Sequence, residues 1–211
     1  MTTSSASSEV RGLIASPPAK LSFTTALQIH AFRLQRADGD LIVYAAGGWN
    51  ETDAPARRQF LGHWHEAAEG SPPTDAAVSV HEADADEVRT RLAVSATFDA
   101  PFKLGEDFEV WPMPGHTPGS TAFLWVTDED RVLFTADSIY PREDGVWRAA
   151  VLDTSDRAAM ADSVQRLDAL EFTVLAPWVT PAAAEPLVRV TPHDGQQRML
   201  EAAARIRAGG N

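Results

Sequence analysis

Apolar positions along the chain first alternate and later change period. Residues 26–35, ALQIHAFRLQ, place Leu27, Ile29, Ala31 and Leu34 in rough alternation, and the turn residues Ala37-Asp38-Gly39-Asp40 lead into the apolar run LIVYAA at 41–46. A period near two, a turn and a second apolar run predict a β-hairpin. Short runs at 59–61, 77–80, 108–113, 121–127, 131–135 and 172–176, separated by Gly, Pro or acidic clusters, predict further strands. Toward the C-terminus the period lengthens. Met160, Val164 and Leu167 follow i, i+4, i+7 spacing and predict a helix over 155–170, with Asp153 or Thr154 as its N-cap. Thr191, Pro192 and Asp194 fit the N-cap, N1 and N3 positions of a last helix, with the stripe Met199, Leu200, Ala203 and Ile206 and a stop at Gly209-Gly210. A shorter helix is expected within 84–92. Hairpins followed by a helix, a strand and a helix do not form a regular βαβ repeat, so a doubly wound nucleotide-binding sheet is disfavoured and a mixed sandwich fits better.

Composition narrows the classes. A chain of 211 residues with 44% apolar and 23% charged residues suits one globular domain, taken as residues 21–211 behind a flexible Ser/Thr-rich extension at 1–20. The 18 basic residues stand against 30 acidic ones, and a net charge of −12 repels a phosphate backbone, which disfavours a nucleic-acid partner. The opening MTTSSASSEV lacks a basic start and an apolar core, and no stretch approaches the ~20 apolar residues of a membrane span. No membrane partner is therefore expected, and the cytoplasm is the simplest location. With no cysteine, any metal must be held by histidine and carboxylate.

The candidate chemistry lies in the histidines. His63 and His65 stand two apart after the run 59–61, and in extended backbone that spacing aims both rings to one face. His116 sits in Pro114-Gly115-His116-Thr117-Pro118-Gly119-Ser120, where Gly and Pro restrict the turn and Gly115 permits close backbone approach. Asp137 follows RVLFTA, at the mouth of a strand, where sites are commonly built. His30 within a strand and His193 at a helix start fit packing or capping. Trp49, Trp64, Trp111, Trp125, Trp147 and Trp178 are expected in the core or at interfaces.

With PGHTPGS at 114–120, VLFTAD at 132–137 and HWHEAA at 63–68 in that order, the chain resembles the metallo-β-lactamase fold superfamily. The resemblance implies a four-layer αββα sandwich, two mixed sheets flanked by helices, with a metal site along one edge. It implies His63, His65 and His116 as ligands of a first metal and Asp137 as a bridging ligand. His81 matches a position the family often fills with a non-ligating histidine, so a hydrogen-bonding role is expected for it.

The departures from the family pattern matter as much. Where the family reads His-x-His-x-Asp-His, this chain carries Ala67 and Ala68; its last histidine would fall at or beside Val179, and an Asp after the second hairpin strand is replaced by Ala45 or Ala46. The groups missing at 67, 68 and 179 all belong to the family's second metal, which points to one metal at most. A three-His tripod with a carboxylate suits zinc, with iron or manganese as lesser options, and a metal-free polar cluster is the competing reading. Asp137 could ligate the metal or orient a water, and Glu66 is the remaining candidate for a substitute base. Trp64 and Trp178 are placed to line or fill the space of the lost second metal, and residues 140–148, YPREDGVWR, to border a substrate cleft. Two functions follow: a metal-dependent hydrolase of a small ester-like or thioester-like molecule, or a non-catalytic binding or scaffold protein that retains the fold. An iron-binding redox protein is a third option.

Overall fold

The computed structural model describes residues 9–47, 56–70 and 76–210. Alternation within the strands decides its layering. Along Thr121–Val126 and Arg131–Phe134, the side chains of Phe123, Trp125, Val132 and Phe134 join one apolar cluster, while Ala122, Leu124 and Leu133 join another. Both faces of this sheet are covered, as the unbroken run TAFLWV requires.

The first six-stranded sheet has the order Leu13–Ala15, Phe32–Leu34, Leu41–Val43, Arg58–Phe60, Ala77–His81, Val94–Phe98. The second runs Val188–Arg189, Val174–Ala176, Arg131–Phe134, Thr121–Val126, Phe108–Pro112, Phe102–Leu104. Both mix parallel and antiparallel pairs. Their inner faces share a core in which the Phe60 ring packs 5.3 Å from Phe108 and 5.8 Å from Phe123, between ring centroids. Helices α1 (Glu66–Glu69) and α2 (Glu82–Arg89) cover the outer face of the first sheet through Ala67, Ala85 and Val88 on Leu61, Val78 and Val80. Helices α3 (Arg157–Arg166) and α4 (Pro192–Arg207) cover the second through Met160, Val164, Met199 and Ile206. The fold is the four-layer αββα sandwich.

The expected hairpin is present, with Phe32 opposite Val43 and Leu34 opposite Leu41. The run 26–35 is nevertheless two strands. Thr24–Ile29 pairs with Ala19–Leu21 and Val179–Pro181 in a separate three-stranded sheet, and Phe32–Leu34 enters the first large sheet. The break falls at His30 and Ala31, whose N–H groups donate to Trp178 O and to Ser16 Oγ. The expected extension at 1–20 is also sheet in part: Val10 is buried and Leu13–Ala15 pairs with Phe32–Leu34, while residues 1–8 and Trp49 lie outside the described residues. Helix α3 is capped by Asp156, which accepts from the Ala159 N–H, rather than by Asp153 or Thr154, and it closes in a 3-10 turn at Leu167–Ala169. In α4, Thr191 caps as expected, but Leu200 is 42% exposed and Ala202 takes its place on the buried face. Among the described residues no helix is long and apolar enough to cross a membrane.

Candidate metal centre

The sheet topology collects the site at one end of the sandwich. Thr121–Val126 runs antiparallel to both Phe108–Pro112 and Arg131–Phe134, so the loop holding His116 and the chain end holding Asp137 emerge side by side. His63 and His65 leave the strand Arg58–Phe60 of the facing sheet. They do not converge through extended backbone: His65 already has helical angles (φ −60°, ψ −30°) at the start of α1, and this turn swings its ring back toward His63. Gly115 has φ 145°, and a Cβ there would lie 2.3 Å from Met160 Cα, so glycine lets the His116 loop rest on α3.

Ligand atoms of His63, His65, His116 and Asp137 all lie within 4.8 Å of one another. His65 Nδ1 stands 3.0 Å from His116 Nε2, and Asp137 Oδ2 stands 3.4 Å from His63 Nε2 and 3.5 Å from His116 Nε2. Two nitrogens bound to one zinc at the tetrahedral angle are about 3.3 Å apart. The buried His63 Nε2 and Asp137 Oδ1 make no hydrogen bond within the protein, a state that is costly for polar atoms unless something else meets them. On both counts the cluster fits a metal ion.

Neighbouring groups fix which nitrogens face inward. His63 Nδ1 pairs with Glu66 Oε1 at 3.0 Å, and His116 Nδ1 donates to Ala150 O at 2.6 Å, leaving both Nε2 atoms for the centre. The electrostatics suit a cation. Burial works against charge on His63, but the Asp137 and Glu66 carboxylates override it and lift its pKa to about 10. Burial, then the charge on His63 and His116, pushes His65 down to about 3. Burial and His63 also lower His116. Asp137 is buried, which opposes ionisation, yet the three histidines hold its carboxyl below the usual range. The Asp137 carboxylate, with His63, His65 and His116 around it, gives the cluster an anionic side that suits a cation.

Glu66 is fully buried, accepting from the Gly62 N–H at 2.9 Å as well as pairing with His63 Nδ1, and it does not line the cavity beside the cluster. Asp84 was not legible as a site residue. At the base of α2 and 1% exposed, it accepts from the Trp64 N–H, the Thr117 hydroxyl and the Gly119 N–H, tying both histidine loops together. Tyr44 and Ala136 have positive φ (71° and 47°), and the Tyr44 hydroxyl accepts from the Ala136 N–H at 2.7 Å while donating to Ala176 O. This strained link sets the direction of Asp137.

A model of the metallo-beta-lactamase superfamily matches residues 56–177, which hold all four of these side chains. The chain belongs to the metallo-β-lactamase superfamily. A superfamily protein from the archaeon Sulfolobus tokodaii superposes with a TM-score of 0.61 at 17% identity, over 92% of this chain and 86% of that one. A metallo-beta-lactamase from Pontibacter korlensis gives 0.67 at 15% identity, covering 93% and 96%. One from Hirschia baltica gives 0.67 at 11%, covering 92% and 95%. No curated protein matches the sequence.

Against the superfamily pattern, the positions that depart from it behave differently. Ala68 and Val179 line a cavity of about 350 Å³ beside the cluster, whereas Ala67 packs into the apolar cluster of Leu61 and Val78 under α1. Trp178 lines this cavity, with its ring centroid 5.2 Å from that of His63 and Nε1 donating to Ala45 O at 2.7 Å. Trp64 instead packs against the His65 ring, tilted by 47° with 3.8 Å between centroids. Of residues 140–148, Tyr140 borders the cavity and Trp147 is buried against α4. The other histidines lie outside the cluster: His81 caps α2 by accepting from the Ala83 N–H, His30 Nδ1 lies 3.2 Å from Ser16 O, and His193 is exposed.

Proposed function

We propose that this superfamily member is a single-metal hydrolase of a small ester-like or thioester-like substrate, with His63, His65 and His116 as ligands and Asp137 beside them. The observation that carries the reading is a four-residue cluster whose ligand atoms lie within 4.8 Å of one another, which holds a buried Asp137 Oδ1 without a hydrogen bond and opens on a cavity. Zinc fits the donor set, with iron or manganese as alternatives, and when bound supplies Lewis acidity that polarises a carbonyl and lowers the pKa of water. The chain's own groups do the rest. Glu66 and Ala150 orient two of the rings, the Asp137 carboxylate in the cavity wall accepts a proton from the attacking water, and Trp178 and Val179 exclude bulk solvent. In the net reaction, ester and water give acid and alcohol, the water oxygen joining the carbonyl carbon as the ester C–O bond breaks.

A second reading has its own observation. Ala68 and Val179 carry no ligand atom at two positions where the superfamily pattern has second-metal groups, which favours a non-catalytic binding protein. Elemental analysis of protein purified without chelator or added metal, followed by ester hydrolysis with the ion loaded, separates the two. One metal per chain, absent from His116→Ala, with turnover that tracks metal content supports the hydrolase. Loaded protein without turnover supports the binder, and failure to take any metal removes the hydrolase reading.

A further inference from the structure

The cavity is not merely space next to the cluster. Its polar contributions, His65, His116 and Asp137, gather at one end, and Glu69 at the rim is engaged by the Ser22 hydroxyl. Apart from Tyr140, the remaining wall is apolar and comes from distant parts of the chain: Leu21, Phe23 and Leu27 of the hairpin from 19 to 29, Leu152 after the His116-bonded Ala150, and Trp178 and Val179 beyond the strand Val174–Ala176. Phe23 is 77% and Leu152 43% exposed, an arrangement that costs hydration unless an apolar group covers them. Ala68 and Val179 therefore do more than lack ligand atoms. Methyl and isopropyl groups stand where a polar second-metal site would have required water or charge, and they continue the apolar wall up to the tripod.

We propose that this half of the site is an acyl pocket, so that the substrate is an ester or thioester of an aliphatic acid. Its carbonyl lies at the histidine cluster and its chain runs along Ala68, Val179, Trp178 and Leu27 toward Phe23. The assignment of a carbonyl rests on the hydrolase reading; the aliphatic chain rests on the wall. A cavity of about 350 Å³ is at the small end of the range for ligand sites, which favours a medium-length chain over a long lipid.

The test uses non-hydrolysable methyl ketones, 2-pentanone, 2-heptanone and 2-nonanone, titrated by calorimetry into the purified full chain with and without zinc. Each methylene buried is worth about fourfold in affinity, so each two-carbon step should tighten binding about 15-fold until the cavity is full. Ala68→Phe, at an exposed helix position, should flatten the series by filling the pocket, and Phe23→Ser, at a surface position, should weaken 2-nonanone while sparing 2-pentanone. An affinity independent of chain length, or a series that both variants leave unchanged, overturns the acyl pocket. Aryl esters of the same acids separate the two proposals. Chain-dependent ketone binding without ester turnover by zinc-loaded protein keeps the pocket and removes the hydrolase; turnover blind to chain length does the reverse.

Discussion

Glu66 Oε1 lies 3.0 Å from His63 Nδ1, with both side chains wholly buried. A carboxylate behind a histidine fixes its tautomer and strengthens it as a ligand. Burial raises the Glu66 carboxyl, with the His63 hydrogen bond and charge and the Gly62 N–H opposing. The arrangement aims His63 Nε2 at the cluster centre before any ion arrives.

Glu66→Ala should accordingly weaken zinc binding about 10–100-fold, read by competition against a chromophoric chelator. Glu66→Gln, which can still accept from His63 Nδ1, should lose less. Equal affinity in both variants and the parent would remove the positioning role. Because Glu66→Ala also strips the Gly62 N–H of its acceptor, it should destabilise the fold by about 1–3 kcal/mol.

Met199 and Leu200 are neighbours on α4 with opposite fates: Met199 is fully buried and Leu200 is 42% exposed. Met199→Asp places an unpaired carboxylate in the cluster with Met160 and Val164 and should cost more than about 3 kcal/mol in urea unfolding. Leu200→Asp should stay within about 0.5 kcal/mol. Similar losses at both positions would mean that α4 is rotated from the placement described.

These neighbours also show where the sequence stops being informative. A helical stripe read at i, i+3, i+4 resolves a face only to about one residue, so Met199 and Leu200 looked equivalent until α4 met the sheet. The hairpin was legible because Asp38-Gly39 stops one apolar run and starts another. The ligand cluster was legible because PGHTPGS and VLFTAD are local strings. Asp84 was hidden because it sits in EADADE, which reads as a solvated acidic helix start; its burial arises from residues 117 and 119, more than thirty positions away. The strand Val94–Phe98 was missed because its three central residues are exposed and carry no apolar alternation. Leu13–Ala15 was hidden by the polar segment in front of it.

Arg36, 9% exposed, makes a bidentate contact with Asp107, whose Oδ2 is 2.9 Å from its Nε. Burial would raise the Asp107 carboxyl, but the Arg36 hydrogen bonds and charge hold it below its ordinary value of 3.8. A carboxyl depressed on folding stabilises fully above its unfolded pKa, and that stability disappears as pH falls through the folded value. Stability of the parent should therefore drop below about pH 4. In Asp107→Asn part of this acid limb should be missing, so the two curves of urea midpoint against pH converge at low pH. Parallel curves would show that the pair is not coupled to folding.

The absence of the second metal's ligands predicts weak or undetectable hydrolysis of β-lactam and phosphodiester substrates even with the tripod loaded, while esters that fit the cavity are turned over. One ion can activate water, but a two-metal clamp also holds the attacking and leaving oxygens. Structure refines how to restore that half. Ala67 lies under α1 among Leu61 and Val78, so Ala67→Asp would bury a charge in an apolar cluster and should destabilise the protein. Ala68 and Val179 face the cavity, and Ala68→His with Val179→His adds two imidazoles there without touching that cluster. The double variant should lose some thermal stability, because Val179 is 5% exposed in the shared core, yet bind a second zinc more weakly than the first and gain measurable hydrolysis. A double variant that binds two zinc ions and stays as inert as the parent toward β-lactam and phosphodiester substrates, or a parent that turns these over efficiently, would show that the missing ligands do not limit the chemistry.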